Sequence, residues 1–331
     1  MTLLAHGWTI VPHLAALARP RPPPDGIHWR GQATDGIGLS GVLHLGRGQA
    51  AKHLVVVIHG MGGDAHRPYV LRLASAALEA GASVLRLNLR GADLESSEFY
   101  HAGMTHDLHG VLDSPALRGF EAFHFIGFSL GGHLVARLAA EPGDPRLGRM
   151  VALCPPLDLG ACQRFLDRPS RRLYRANLLV GMRAAYVAAA ARGPVPTPWH
   201  RVREAKTLYQ WDQLTAVPRY GFGTPERYYA ETGAGPRLKD VVRPLLIVYV
   251  EDDPIVPVST VEPWLAAASP HVVARRLRSG GHGYFPRTTH LGLGEAAGVD
   301  RQMMTWLLGE DAGEHARDHH VPTPLQGRQR R

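Results

Sequence analysis

Gly127-Phe128-Ser129-Leu130-Gly131-Gly132 follows directly on the apolar run Phe123-His124-Phe125-Ile126 and precedes a helical pattern from His133 to Ala140. A serine between a buried strand and a helix sits on a tight turn, its hydroxyl at the carboxyl edge of the sheet, and the flanking glycines let neighbouring backbone approach that turn. The helix that starts there aims free N–H groups at any negative charge that develops, so the Leu130 amide is a candidate anion donor.

Outward from this turn, the chain alternates short apolar runs with helical stretches. Leu54-Val55-Val56-Val57-Ile58 has no polar alternation, as expected of a strand buried on both faces of a parallel sheet. Further strands are expected at 83–88, 122–126, 150–153, 245–250 and 272–277, with helices at 69–80 and 131–140. The alternation predicts an α/β fold, doubly wound around a mostly parallel sheet.

About ninety residues separate the strand ending near Leu153 from that starting at Leu245, and they read as a mainly helical insertion over 155–240. Ten of the chain's 24 aromatic residues fall there: Phe165, Tyr174, Tyr186, Trp199, Tyr209, Trp211, Tyr220, Phe222, Tyr228 and Tyr229. Such enrichment suits a cap over an apolar pocket, although most of these rings are expected to pack the cap's own interior. The core then comprises 25–154 and 241–309. Residues 1–24 form an N-terminal segment with the stiff linker Pro20-Arg21-Pro22-Pro23-Pro24, and 310–331 a polar, aperiodic tail expected to be disordered.

Length and composition bound the function. At 331 residues, with 45% hydrophobic and 20% charged residues, the chain suits one large globular domain with insertions, and collagen-like, disordered and disulfide-scaffold classes are excluded. Cys154 and Cys162 have neither metal-ligand nor framework spacing, which favours a reducing compartment. The most apolar stretch, 178–191, is broken by Arg183. The first eighteen residues lack a basic leading region and are interrupted by His6, Pro12 and His13, unlike a secretory signal. A cytoplasmic location is expected.

The net charge of +8 is regional, since 155–240 carries fourteen Lys+Arg against seven Asp+Glu. With only Lys52, Lys206 and Lys239 as lysines, the excess is arginine. A solvated surface is the first reading and attraction to anionic substrates or to an anionic membrane surface the second; no nucleic-acid partner is expected.

A serine at its free pKa needs a base held by a third group. Glu251-Asp252-Asp253-Pro254-Ile255-Val256-Pro257 puts carboxylates at a strand's carboxyl end, and Gly280-Gly281-His282-Gly283-Tyr284 puts a histidine on a glycine-rich loop after the last strand. Serine, acid and histidine thus occur in chain order as Ser129, Asp252 or Asp253, and His282. The loop His59-Gly60-Met61-Gly62-Gly63-Asp64 after the first core strand is positioned to supply a second anion donor, the Met61 N–H, with His59 bracing it. His101, His106, Asp107 and His109 lack a metal-site pattern and are read as loop-bracing groups; no metal and no cofactor are expected.

Several of these segments resemble one family. His59-Gly60-Met61-Gly62-Gly63, Leu87-Asn88-Leu89-Arg90-Gly91, the block from Tyr100 to Leu108, the serine turn, Tyr228-Tyr229 and Val250-Glu251-Asp252-Asp253-Pro254 are similar to the YheT-like branch of the α/β-hydrolases, the bacterial counterpart of the ABHD lipases. The likeness runs from about residue 12 to about 308 and includes Pro12-His13-Leu14. It implies the α/β-hydrolase fold and a carboxylic ester hydrolase acting on acylglycerols or on short to medium acyl esters. Ser129 would be the nucleophile, His282 the base, and Asp253, whose Pro-Ile-Val-Pro sequel resembles the family's acid turn, the acid. Two departures bear on substrate range: Ala92-Asp93-Leu94-Glu95 replaces a Cys/Gly-rich stretch, and Glu231-Thr232-Gly233-Ala234 a serine-containing one. An acyltransferase with the same three residues is the alternative, and a non-catalytic ligand-binding protein of this fold a third reading. The partner expected is a small ester.

Overall fold

The structure, a computed structural model, describes residues 3–18 and 25–309. The expected linker at 20–24 and tail at 310–331 lie outside the described residues.

Eight strands form one sheet: β1 (Ile27–Gln32), β2 (Gly38–His44), β3 (His53–Ile58), β4 (Ser83–Asn88), β5 (Ala122–Phe128), β6 (Leu147–Leu153), β7 (Leu245–Val250) and β8 (Val272–Leu277). Their spatial order is β1-β2-β4-β3-β5-β6-β7-β8; β3 to β8 run parallel, and the β1–β2 hairpin joins antiparallel through β2 to β4. The sheet is therefore mixed but mostly parallel, as the alternation predicts. The hairpin was not foreseen. β1 buries little besides Trp29, whose Nε1 donates to Ser114 Oγ at 3.2 Å, so its polar sequence carries no strand signal.

Twelve helices accompany the sheet among the described residues. α1 (Leu3–Ala18) leads the chain and continues through Pro12. α2 (Pro68–Glu79), α3 (His106–Asp113) and α4 (Leu130–Leu138) follow β3, β4 and β5. Between β6 and β7 lie α5 (Leu159–Leu166), α6 (Arg172–Ala190), α7 (Trp199–Val202), α8 (Leu208–Leu214), α9 (Ala216–Arg219) and α10 (Pro225–Thr232), and α11 (Glu262–Leu265) and α12 (Val299–Leu308) complete the set. The central strands β3, β5 and β7 are apolar and buried on both faces because helices cover each side. One side of the sheet packs against α2 and α12, the other against α4 and the helices between β6 and β7.

A buried ion pair fixes the β4–α3 connection. Arg90, just past β4, donates from Nε to Asp107 Oδ1 at 2.7 Å and from its main-chain N–H to Asp107 Oδ2 at 2.9 Å, and its Nη1 donates to Asp35 Oδ2 at 2.7 Å. Burial opposes the charge on Arg90, yet the hydrogen bonds and charges of Asp35 and Asp107 hold its guanidinium above the usual value. The loop so tethered carries Tyr100, whose Oη accepts from the Gly62 N–H in the loop after β3. Asp107 is fully buried, so Asp107→Ala removes the buried counter-charge of Arg90 and leaves only the part-exposed Asp35 to pair it, which is expected to cost about 3 kcal/mol in urea unfolding. A loss below about 1 kcal/mol would contradict this anchoring role.

Candidate active site

Ser129 occupies φ 54°, ψ −116° at the N-cap of α4, one of three positive-φ non-glycine residues among those described. A side chain in that region costs about 1–3 kcal/mol and persists only where its surroundings over-determine it. They do so here by close backbone approach: a Cβ on Gly127 would lie 2.1 Å from Gly131 O, and one on Gly131 would lie 2.6 Å from His59 O. α4 thus enters directly against β5 and the loop after β3, and Ser129 N–H donates to Leu153 O at 2.8 Å. Leu130 N–H is the first amide of α4, where the opening amides have no intrahelical acceptor.

Asp253 and His282 meet at the carboxyl ends of β7 and β8. His282 Nδ1 lies 2.8 Å from Asp253 Oδ2, and Asp253 Oδ1 accepts from the N–H groups of Ile255 at 2.8 Å and Val256 at 2.9 Å. Both residues are buried. Three donors and a closed surround thus hold the carboxylate in one orientation, and Asp253 is the member of the Asp252–Asp253 pair that holds the ring through Nδ1. The ring of Phe128, the residue before Ser129, lies 4.7 Å from the His282 ring centroid, which seats the imidazole loop on the serine turn.

The loop holding Met61 is braced from several sides. A Cβ on Gly60 would come within 3.2 Å of Ser129 Cβ, so this loop borders the serine. Gly60 N–H donates to Tyr69 Oη at 3.0 Å and Gly62 N–H to Tyr100 Oη at 2.6 Å, while Arg67 Nη2 donates to Gly62 O at 2.8 Å. His59 donates from Nδ1 to Gly60 O at 2.8 Å and accepts at Nε2 from Leu89 N–H at 3.2 Å. Its burial is complete and pushes its pKa down to about 4, so it braces the loop as a neutral ring. Above this loop, a Cβ on Gly181 of α6 would fall 2.0 Å from Gly62 O, so helix and loop touch backbone to backbone.

The remaining histidines separate. His109 Nε2 pairs with Glu141 Oε2 at 2.8 Å, His106 is exposed, and His101 packs on Tyr220 at 4.4 Å with its pKa lowered to about 3 by burial. Among the described residues the one group with metal-ligand proximity is Cys154, Asp253 and His282, whose ligand atoms lie within 4.8 Å of one another. Burial and the Asp253 charge push the Cys154 thiol well above its usual pKa, which keeps it protonated and a poor metal ligand. Cys154 itself takes φ 49° after β6.

The aromatics of 155–240 divide. Phe165, Tyr186 and Trp211 belong to the main core, with Tyr174 and Trp199 packed against it, whereas Phe222, Tyr228 and Tyr229 gather with Leu130, Met61 and Leu159 in a small cluster over the serine turn. Leu159 and Tyr229 also line a cleft of about 490 Å³ bounded by Trp264. Sequence reasoning missed Tyr100 as a loop brace, although it stands in a quoted segment, and gave no signal for Cys154, Gly181 or the Thr9 contact described below.

A serine on a strand-to-helix turn, with an acid–histidine pair at the same rim of a β1-β2-β4-β3-β5-β6-β7-β8 sheet, defines an α/β-hydrolase-fold protein with a serine-type site. The sequence matches the Alpha/beta hydrolase family over residues 55–291, and the chain belongs to that family. It is 28% identical over 238 residues, 70% of each chain, to the Escherichia coli (strain K12) protein named "Putative esterase YheT". It is 26% identical over 262 residues, 69% of this chain and 57% of the other, to the Saccharomyces cerevisiae "Medium-chain fatty acid ethyl ester synthase/esterase 2". The solved structure of 2,6-dihydroxy-pseudo-oxynicotine hydrolase shares the fold with a TM-score of 0.57 at 17% identity, covering 91% of this chain and 72% of that one.

Four buried imidazoles give the fold a pH signature. Burial lowers His59, His124 and His133 to about 4 and His101 to about 3 from the usual 6.5. Below 6.5 the unfolded chain takes up protons that the folded chain refuses. Stability is therefore whole above that pH and falls towards pH 4, by on the order of 1 kcal/mol per unit for each ring. The urea midpoint should be markedly lower at about pH 5 than at about pH 7; equal midpoints would contradict neutral burial.

Proposed function

We propose that the protein is a serine hydrolase cleaving carboxylic esters through an acyl-enzyme on Ser129. The observation that carries this reading is the strained Ser129 at the head of α4, preceded by Phe128, whose ring packs on the His282 of the Asp253–His282 pair. His282 takes the hydroxyl proton, and Asp253 holds the ring tautomer and stabilises the imidazolium. The alkoxide attacks the ester carbonyl while the Met61 and Leu130 N–H groups donate to the developing oxyanion. The tetrahedral adduct expels the alcohol, protonated by His282, and water activated by the same ring releases the acid.

Residues 155–240 serve as the cap, and the cluster of Phe222, Tyr228 and Tyr229 over Leu130 supports short to medium acyl esters or acylglycerols as substrates. Transfer of the acyl group to an alcohol is a second reading, favoured by the synthase/esterase named among the relatives; glycerol or ethanol added during turnover separates the two by product analysis.

Ser129→Ala and His282→Ala should each lower kcat by about four to six orders of magnitude with little change in stability, and Asp253→Asn by about four orders. Asp252→Asn should stay within about ten-fold of the parent enzyme. Full activity in Ser129→Ala would refute the assignment. Across an ester series of increasing acyl length, kcat/KM should pass through a maximum, and a flat profile would contradict an acyl site beneath the aromatic cluster.

A further inference from the structure

Among the described residues, eight of the twelve large hydrophobic side chains that stand exposed lie on two helices, α1 and α6. On α1, Leu4, Val11 and Leu14 are 65%, 64% and 56% exposed, and no charged residue lies among the helix's exposed positions. On α6, Leu173, Val180 and Val187 recur at i, i+7 and i+14, 76%, 65% and 42% exposed, so they share one outward stripe. Surface helices of a globular protein normally turn such a stripe inward, and a concentrated exposed one marks an interaction site.

The two helices adjoin each other and the catalytic rim. His6 Nδ1 lies 2.7 Å from Tyr174 Oη with the rings stacked, and Arg171 Nη1 lies 3.2 Å from His6 Nε2. From α1, Thr9 Oγ1 accepts the main-chain N–H of His282 at 2.9 Å, and a Cβ on Gly281 would meet Thr9 Oγ1 at 2.4 Å. From α6, Gly181 rests on Gly62. One helix therefore touches the loop of the candidate base, and the other touches the loop of a candidate oxyanion donor.

Charge selects the occupant. Residues 168–203 contain eight arginines and no Asp or Glu, and residues 1–24 contain no acid either. A two-fold dimer closed through α6 would set arginine against arginine, whereas an apolar stripe on a segment whose exposed charges, Arg168, Arg172, Arg192, Arg201 and Arg203, are all positive suits a surface that is apolar within and anionic outside.

We propose that the outer faces of α1 and α6 form a docking surface for an anionic phospholipid bilayer, placing the rim with Ser129 and His282 at the lipid interface. The role of that rim in chemistry rests on the hydrolase reading above; the docking itself does not.

The test is flotation of the full chain with vesicles of phosphatidylcholine alone or mixed with phosphatidylglycerol. The protein should float with the mixed vesicles, less at high salt and little with phosphatidylcholine alone. The double variant Val11→Glu/Val180→Glu, both positions being exposed, should lose about ten-fold in bound fraction while keeping its melting temperature and its turnover of a soluble short ester. Failure of the parent protein to float, flotation of the variant equal to the parent, or dimers in sedimentation that the variant dissolves would each overturn the docking surface. Because flotation reads no turnover, a protein that binds vesicles but cleaves no ester overturns the hydrolase reading alone.

Discussion

The left-handed backbone at Ser129 is the constraint on which the rest of the site depends. An L-residue at φ 54° is strained, and the strain is held by packing, with α4 so close to β5 and to the loop after β3 that Gly127 and Gly131 have no room for a Cβ. The same compression puts the serine hydroxyl at the sheet's carboxyl edge and leaves the first amides of α4 facing it. Any relaxation of that turn would move the hydroxyl and the Leu130 amide together.

Around this turn, each loop is fixed by groups that take no part in bond breaking. Asp107 ties Arg90, the Arg90–Asp107 loop presents Tyr100, and Tyr100 receives the Gly62 amide next to Met61. Asp253 is oriented by the amides of its own turn before it meets His282. Geometry thus passes from buried polar pairs to the sheet edge that bears Ser129 through short hydrogen bonds. In a buried setting such pairs are costly to break singly, which keeps the loops in one arrangement.

Much of this was legible in the sequence, for identifiable reasons. The expected spans 83–88, 245–250 and 272–277 coincide with β4, β7 and β8. Of the three only β7 is an unbroken apolar run, as a strand buried on both faces favours, whereas β4 holds Arg86 and Asn88 and the edge strand β8 holds Arg275 and Arg276 among their apolar residues. The serine turn was legible through its glycines and its place between strand and helix. The β1–β2 hairpin escaped because it lies at the edge of the sheet and buries chiefly Trp29 on its outer strand. The histidine cluster at 101–109 showed no metal spacing, and the structure divides it among separate partners. Contacts across long sequence distances, such as Thr9 with His282 or Gly62 with Gly181, leave no local pattern.

The central claim is that the Ser129 hydroxyl forms a covalent acyl intermediate with His282 as its base. Rapid acid quench of the protein during turnover of an activated ester, followed by peptide mass mapping, tests it most directly. The account predicts one acyl group, on the peptide bearing Ser129, absent from His282→Ala on the same timescale. Acylation of another residue, or ester turnover with no acylated peptide at any quench time, would contradict it.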